Sequence, residues 1–199
     1  MTLRTAERPR VRVKLAALAL TAAFAAGACS GGSGGSAFTA TKSGFDTAPA
    51  AKRSTAPDLA GKTVDGGTVR LSDYRGSVVV VNLWGSWCDS CRLEAKSFGQ
   101  IATRYRDKGV RFLGINTRDN GTVQGRRFEK TFGITYPSLY DRFGKQISRF
   151  APGTVNLQTI PSTILIDPQG KVAARSLGPL SGEHLESGLT TLLAESPAR

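Results

Sequence analysis

Two cysteines, Cys88 and Cys91, stand two residues apart in the stretch WGSWCDSC. A pair at this spacing can serve as a staple, as half of a metal site, or as a working redox couple. As a staple it is poor. A disulfide across two residues closes a tiny loop and takes little entropy from the unfolded chain. As a metal site it lacks company. A structural zinc takes four Cys, His or carboxylate ligands, and the chain offers one histidine, His184, and one further cysteine, Cys29. We therefore expect no metal and no other cofactor. Thiol–disulfide exchange needs a thiolate, and the start of a helix supplies one. There the macrodipole and free N–H groups favour an anion and lower the thiol pKa below its ordinary ~8.5. Cys88, at the helix start, is the expected exposed nucleophile. Cys91, one turn in, is placed to resolve the mixed disulfide. Glu94 lies three residues after Cys91 on the same helix face and is a candidate acceptor for its proton. The competing reading of Glu94 is an exposed first-turn glutamate that complements the dipole.

The neighbouring elements must place this pair. SVVVVNLW, 77–84, is a β-branched run of the kind found in a strand covered on both faces. After the cysteines, Phe98, Ile101, Ala102 and Tyr105 repeat at helical spacing, up to Gly109. Before the strand, DLAGKTVDGGTVRLSDY reads as two short strands about Asp65-Gly66-Gly67. VRFLGIN (110–116) is a further strand, and 122–133 a helix with Val123, Phe128 and Phe132 inward. An irregular or helical piece is expected near 144–150. STILID and KVAARS pair about the DPQG turn. Ser181 caps a last helix with Leu185, Leu189, Leu192 and Leu193 on one face. The order gives an α/β domain with a mixed sheet.

The N-terminal part differs in composition. Residues 1–14 carry five basic residues and one acidic one, and 15–28 are apolar or small. A basic start, a short apolar run and small residues at its end predict a signal peptide over 1–28. The run is shorter than the ~20 apolar residues of a membrane span. AGAC then resembles a bacterial lipobox, with Ala26 where leucine is usual, which predicts lipid on Cys29, with plain secretion and cleavage nearby as the alternative. Lipidation also explains the odd cysteine. Residues 29–55, rich in Ser, Gly, Ala and Thr, are expected to form a flexible tether, with the domain over 56–199. The net charge is +12. Without 1–28 it is 22 minus 14, or +8, which suits an anionic membrane surface. No basic run interleaved with aromatics points to nucleic acid.

VVVVNLWGSWCDSCRLEAKSF, followed by TIPSTILID, resembles the thioredoxin-like family over about 56–195. More closely it is similar to the membrane-tethered thiol–disulfide oxidoreductases of the TlpA/ResA type. The resemblance implies a thioredoxin-like three-layer α/β/α fold with a mixed central sheet, an N-terminal hairpin and a central insertion, at 116–150. It implies Cys88 as nucleophile, Cys91 as resolving thiol, and Pro161 as a cis-proline facing the disulfide. Trp87, Ile160 and Pro161 would contact substrate. Asn82 stands where thioredoxins carry a buried aspartate, which leaves Glu94 to handle the proton. Ser90 replaces a frequent proline, and Asp89 beside the thiolate disfavours it, which leans towards a reductant. The implied partners are protein thiols and disulfides, with apocytochrome c one client, and a membrane redox partner. The implied place is outside the cytoplasm, at the outer face of the cytoplasmic membrane, as a lipoprotein. A peroxiredoxin-like peroxidase and a non-catalytic tethered binding module are the alternatives.

Overall fold

The computed structural model describes residues 37–41 and 43–195. They lie within one compact unit, Gly35–Arg199. The strands are β1 (Thr39–Ala40), β2 (Asp46–Thr47), β3 (Ala60–Lys62), β4 (Thr68–Arg70), β5 (Val78–Trp84), β6 (Val110–Thr117), β7 (Ser138–Asp141), β8 (Ser162–Ile166) and β9 (Val172–Leu177). The α-helices are α1 (Asp89–Tyr105), α2 (Thr122–Phe132) and α3 (Gly182–Glu195). Seven strands form one sheet in the order β1-β2-β9-β8-β5-β6-β7, while β3 and β4 pair separately as the expected hairpin. β5, β6 and β7 run parallel, β8 returns antiparallel to β5, and β9 is antiparallel to β8 and so runs with β5. The mixed thioredoxin-like sheet read from sequence is present.

β5 is buried along its whole length because both its faces are covered. Val78 and Val80 pack with Phe98 and Ile101 of α1 and Leu185 and Leu189 of α3. Val79, Val81 and Leu83 face the other layer, with Leu59, Leu71, Ile147 and Phe150. That layer is built from the hairpin region and 3₁₀ turns at Leu71–Tyr74 and Ile147–Arg149. Ser181 caps α3 as expected, its Oγ accepting from His184 N at 3.1 Å. Among the described residues no helix is long and apolar enough to cross a membrane.

Three expectations need correction. The tether was expected to run to residue 55, but the chain joins the domain from about residue 37. Phe45 is buried in the main core, and burying one such ring contributes about 2–3 kcal/mol. β2 pairs with β9, Asp46 opposite Arg175, and their side chains form an ion pair at 3.3 Å. Arg53 adds a buried pair with Asp167 at 3.2 Å. Two aromatics among small residues, Phe45 in the main core and Phe38 against the other layer, help dock a segment whose composition reads as linker. Second, Val123 faces solvent, because the inward face of α2 is carried by Gly125 and Phe128. Third, SLYD at 138–141 is a strand, β7, whose buried polar ends hid it. Residues 1–28 and Cys29 lie outside the described residues.

Candidate active site

β5 delivers the chain to the carboxyl end of the sheet, where Trp84 is buried against Phe128, ring centroids 4.5 Å apart. The chain then turns through Gly85, Ser86 and Trp87 into α1. Cys88 is the N-cap of α1, and the Cys91 N–H points at its Sγ from 3.1 Å. Cys88 and Cys91 form a disulfide with Cα atoms 5.3 Å apart. When the pair is reduced, that N–H and the helix terminus favour negative charge on the Cys88 sulfur. The contrast in exposure is smaller than expected: Cys88 is 5% exposed and Cys91 1%. Both belong to a cluster with Trp84, Ala95 and Phe128, and Ile160 packs against it. The nucleophile is therefore nearly covered, with Ile160 among its cover.

The Ile160–Pro161 bond is cis. The Ile160 carbonyl lies 3.9 Å from Cys88 Sγ, so the loop faces the disulfide as the resemblance implies. The Pro161 carbonyl accepts from Gly178 N at 3.0 Å, which ties the loop to the end of β9.

Glu94 is buried, 5% exposed, not the surface glutamate of the competing reading. Asn82 on β5 donates to its Oε1 at 3.0 Å, and Leu180 N donates to its Oε2 at 3.0 Å. Asn82 also reaches Thr163 Oγ1 at 3.4 Å. Burial pushes the Glu94 carboxyl up to about 7; the hydrogen bonds from Leu180 and Asn82 pull it back only in part. A carboxyl that titrates near neutrality, one helical turn from Cys91, is equipped to take and return a proton. Glu129 on α2 is a partly buried carboxyl, also pushed up to about 7, chiefly by desolvation, with a hydrogen bond from Ser138 pulling it back in part. The sequence reading missed it. Its position on α2 gave no signal, because inward positions there were assigned to apolar residues.

The outward side of the pair is more elaborate than the sequence implied. Trp87 is 43% exposed. Its indole donates to Thr117 O at 3.0 Å and lies over Gly85, where any Cβ would strike it. The Arg118 guanidinium stacks on the same ring, 4.0 Å from its centroid. Next to it, Asp119 is buried and accepts from Ser86 Oγ at 2.7 Å and Asn116 Nδ2 at 2.7 Å. Tyr140 donates to the Asp119 carbonyl at 3.0 Å. The turn before Cys88 is thus clamped to the end of β6. Nothing in the spacing of Arg118 or Asp119 marked them, since the clamp exists only once β5 and β6 lie side by side.

A cavity of about 1400 Å³ opens at the opposite pole, lined by Phe45, Arg53 and Asp167 among others, and it touches neither cysteine. The chemistry belongs to the cysteine pole. Among the described residues no three His, Cys, Asp or Glu gather as for a metal ion.

The AhpC/TSA family matches residues 53–175, well over half of the chain. This protein belongs to the AhpC/TSA family. Thiol-disulfide oxidoreductase ResA of Geobacillus thermodenitrificans is 34% identical over 138 residues, 67% of this chain and 76% of the relative. ResA of Geobacillus kaustophilus is 32% identical over 139 residues, 70% of this chain and 76% of the relative. Among solved structures, a DsbF homologue from Corynebacterium diphtheriae has a TM-score of 0.70 and 29% identity, covering 79% of this chain and 100% of that one. A secreted thiol-disulfide isomerase from Corynebacterium glutamicum has a TM-score of 0.69 and 29% identity, covering 80% and 96%. This AhpC/TSA protein therefore shares both sequence and fold with thiol–disulfide exchange proteins.

Proposed function

We propose that the protein reduces disulfides of client proteins outside the cytoplasm while held by lipid on Cys29 at the outer face of the membrane. The observation that carries the reading is the Cys88–Cys91 disulfide at the start of α1, facing the cis Ile160–Pro161 loop. The enzyme class, thiol–disulfide oxidoreductase, stands on the family, the ResA relatives and this pair. The leader-like N-terminus and the secreted neighbour from Corynebacterium glutamicum favour export.

In the reduced enzyme the Cys88 thiolate attacks one sulfur of the client disulfide. The other client sulfur leaves as a thiolate and takes a proton. Cys91 passes its proton to the Glu94 carboxylate and attacks Cys88 Sγ, so the first client sulfur departs and is protonated in turn. The client gains two electrons and two protons, and the enzyme is left as the Cys88–Cys91 disulfide. A thiol-bearing membrane partner must then reduce it. Trp87, Ile160 and Pro161 would hold the client chain. Asp89 favours the reducing direction weakly, because it is fully exposed and 3.8 Å from Arg92. Apocytochrome c with its two haem-site cysteines oxidised to a disulfide is one client class that fits.

Insulin reduction by the full-length protein tests the class, and equilibration with glutathione tests the direction. Turnover with a potential below that of glutathione supports the reading. A potential well above it makes the protein an oxidant. Consumption of hydrogen peroxide without insulin reduction would favour the peroxiredoxin-like alternative.

A further inference from the structure

Five large apolar side chains are exposed among the described residues: Trp87, Leu93, Val123, Phe143 and Leu177. All five sit at the cysteine pole. Trp87 and Leu93 flank the start of α1, Val123 is in the first turn of α2, and Phe143 and Leu177 lie at the carboxyl ends of β7 and β9. Scattered exposed apolar residues need no explanation, but a set gathered at one end marks an interaction surface.

Two cations are set into this surface. The Arg118 guanidinium lies on Trp87, and that of Arg142 lies 5.1 Å from the Phe143 centroid. The two residues are neighbours, Arg118 N donating to Arg142 O at 3.2 Å. Arg142 also donates to Asn120 Oδ1 at 3.0 Å. Neither arginine has a carboxylate partner among the described residues. Arg118 holds φ 60, the only non-glycine with positive φ among the described residues. A side chain in that region is uncommon and points to a constraint imposed from outside local preference. Here the constraint places a cation on the tryptophan beside the nucleophile.

We propose that Trp87, Arg118, Arg142 and Phe143 form a docking row for an extended client segment that alternates acidic and apolar side chains next to its disulfide. This rests on the oxidoreductase reading and adds the client class. Carboxylates of the client would meet the two open guanidinium edges, and its apolar side chains would meet the two rings. An acidic segment is favoured over a basic one by the unpaired arginines and by the net charge of the chain beyond the leader. A polypeptide is favoured over a lipid surface because the row begins on the residue before Cys88, where a client cysteine must arrive.

The test uses full-length reduced protein and two peptides of equal length. Each carries one cysteine as a mixed disulfide with β-mercaptoethanol, flanked by Glu and Leu in one and by Lys and Leu in the other. The expected result is a KM about fivefold lower for the acidic peptide, a preference that fades as salt rises. Arg118→Glu with Arg142→Glu should invert the preference, an outcome that mere loss of structure cannot give. Equal KM values for both peptides, with turnover intact, overturn the docking row alone. So does a charge-reversed variant that keeps the peptide preference yet loses binding to anionic vesicles, which would assign the row to the membrane. Failure to turn over either peptide or any small disulfide overturns the oxidoreductase reading beneath it.

Discussion

The two sides of the cysteine pair are built from opposite materials. Inward lie Cys91, Asn82 and Glu94, all buried, with each Glu94 oxygen held by one donor. Outward lie Trp87, 43% exposed, and Phe143, 73% exposed, with two arginines on their rings. Electrostatic effects are strong where water is excluded and weak where it is not. The inner side is therefore suited to control protons and electrons. The outer side is suited to choose clients through many small contributions. Substitutions should divide in the same way, with large effects on the chemical step from within and modest effects on KM from without.

The largest effect belongs to the sulfurs. Cys88→Ser should lower turnover of every disulfide substrate by about a thousandfold or more, since the sulfur at the helix start is lost and Cys91 is buried behind it. Cys91→Ser should still form it and accumulate client on Cys88, visible as an added mass on the intact protein. Mild alkylation of the reduced enzyme should label Cys88 first. Preferential labelling of Cys91 would reverse the two roles.

Next comes Glu94→Gln, which should slow turnover by about 10- to 100-fold and remove an inflection near pH 7 while Cys88 still alkylates quickly. Stability gives a second readout. The folded carboxyl is raised to about 7 from 4.5, so the native state holds the proton more tightly than the unfolded chain. Stability should fall as pH rises from about 4.5 to about 7 and stay low above that. The shift corresponds to something on the order of 3 kcal/mol, a loss that the glutamine variant should escape. Glu129 titrates in the same window, so the difference between wild type and variant, not the wild-type slope, isolates Glu94. A variant with the wild-type pH–rate profile would leave Glu94 as a packing residue.

The inner side was largely legible in the sequence and the outer side was not. Cys88, Cys91 and Pro161 sit in contiguous motifs whose spacing has chemical meaning. Glu94 could be placed by helical periodicity from Cys91, though its burial could not, because that depends on α3 bringing the Leu180 N–H across. Most strands and all three α-helices followed from periodicity. β7 did not, since Ser138 and Asp141 are buried for their hydrogen bonds to Trp84 and to the backbone at Gln146 and Ile147. Arg118, Asp119 and Arg142 carry no local signal. Their roles arise from the parallel register that sets Thr117 beside Asp141. The tether was misjudged because Phe45 gains its partners from α1 and α3, far along the chain.

Gly85→Ala should act between the two extremes. A Cβ at that position collides with the Trp87 indole, so the ring must leave Gly85 and break its hydrogen bond to Thr117. Overpacking of this kind costs about 1–3 kcal/mol. Client KM should rise several-fold, and Trp87 should gain exposure to fluorescence quenchers. Unchanged quenching would show that the ring can shift without leaving its seat.

The smallest effect, and the one that most sharply separates the two sides, is expected from Arg118→Asn. Asparagine tolerates the left-handed backbone better than arginine, so part of the strain at φ 60 is relieved. Against that, the cation over Trp87 is lost, worth about 0.5–1 kcal/mol at an exposed site. The two terms oppose each other, and thermal stability should move by less than about 1 kcal/mol. The KM for an acidic client should still rise about twofold, with kcat unchanged because Cys91 and Glu94 lie on the other side of the disulfide. If instead the protein loses more than about 2 kcal/mol, Arg118 is holding the Asp119 clamp in place. Its strained backbone would then serve the fold rather than the client, and the division between inner chemistry and outer selection would have to be redrawn through the β6 loop.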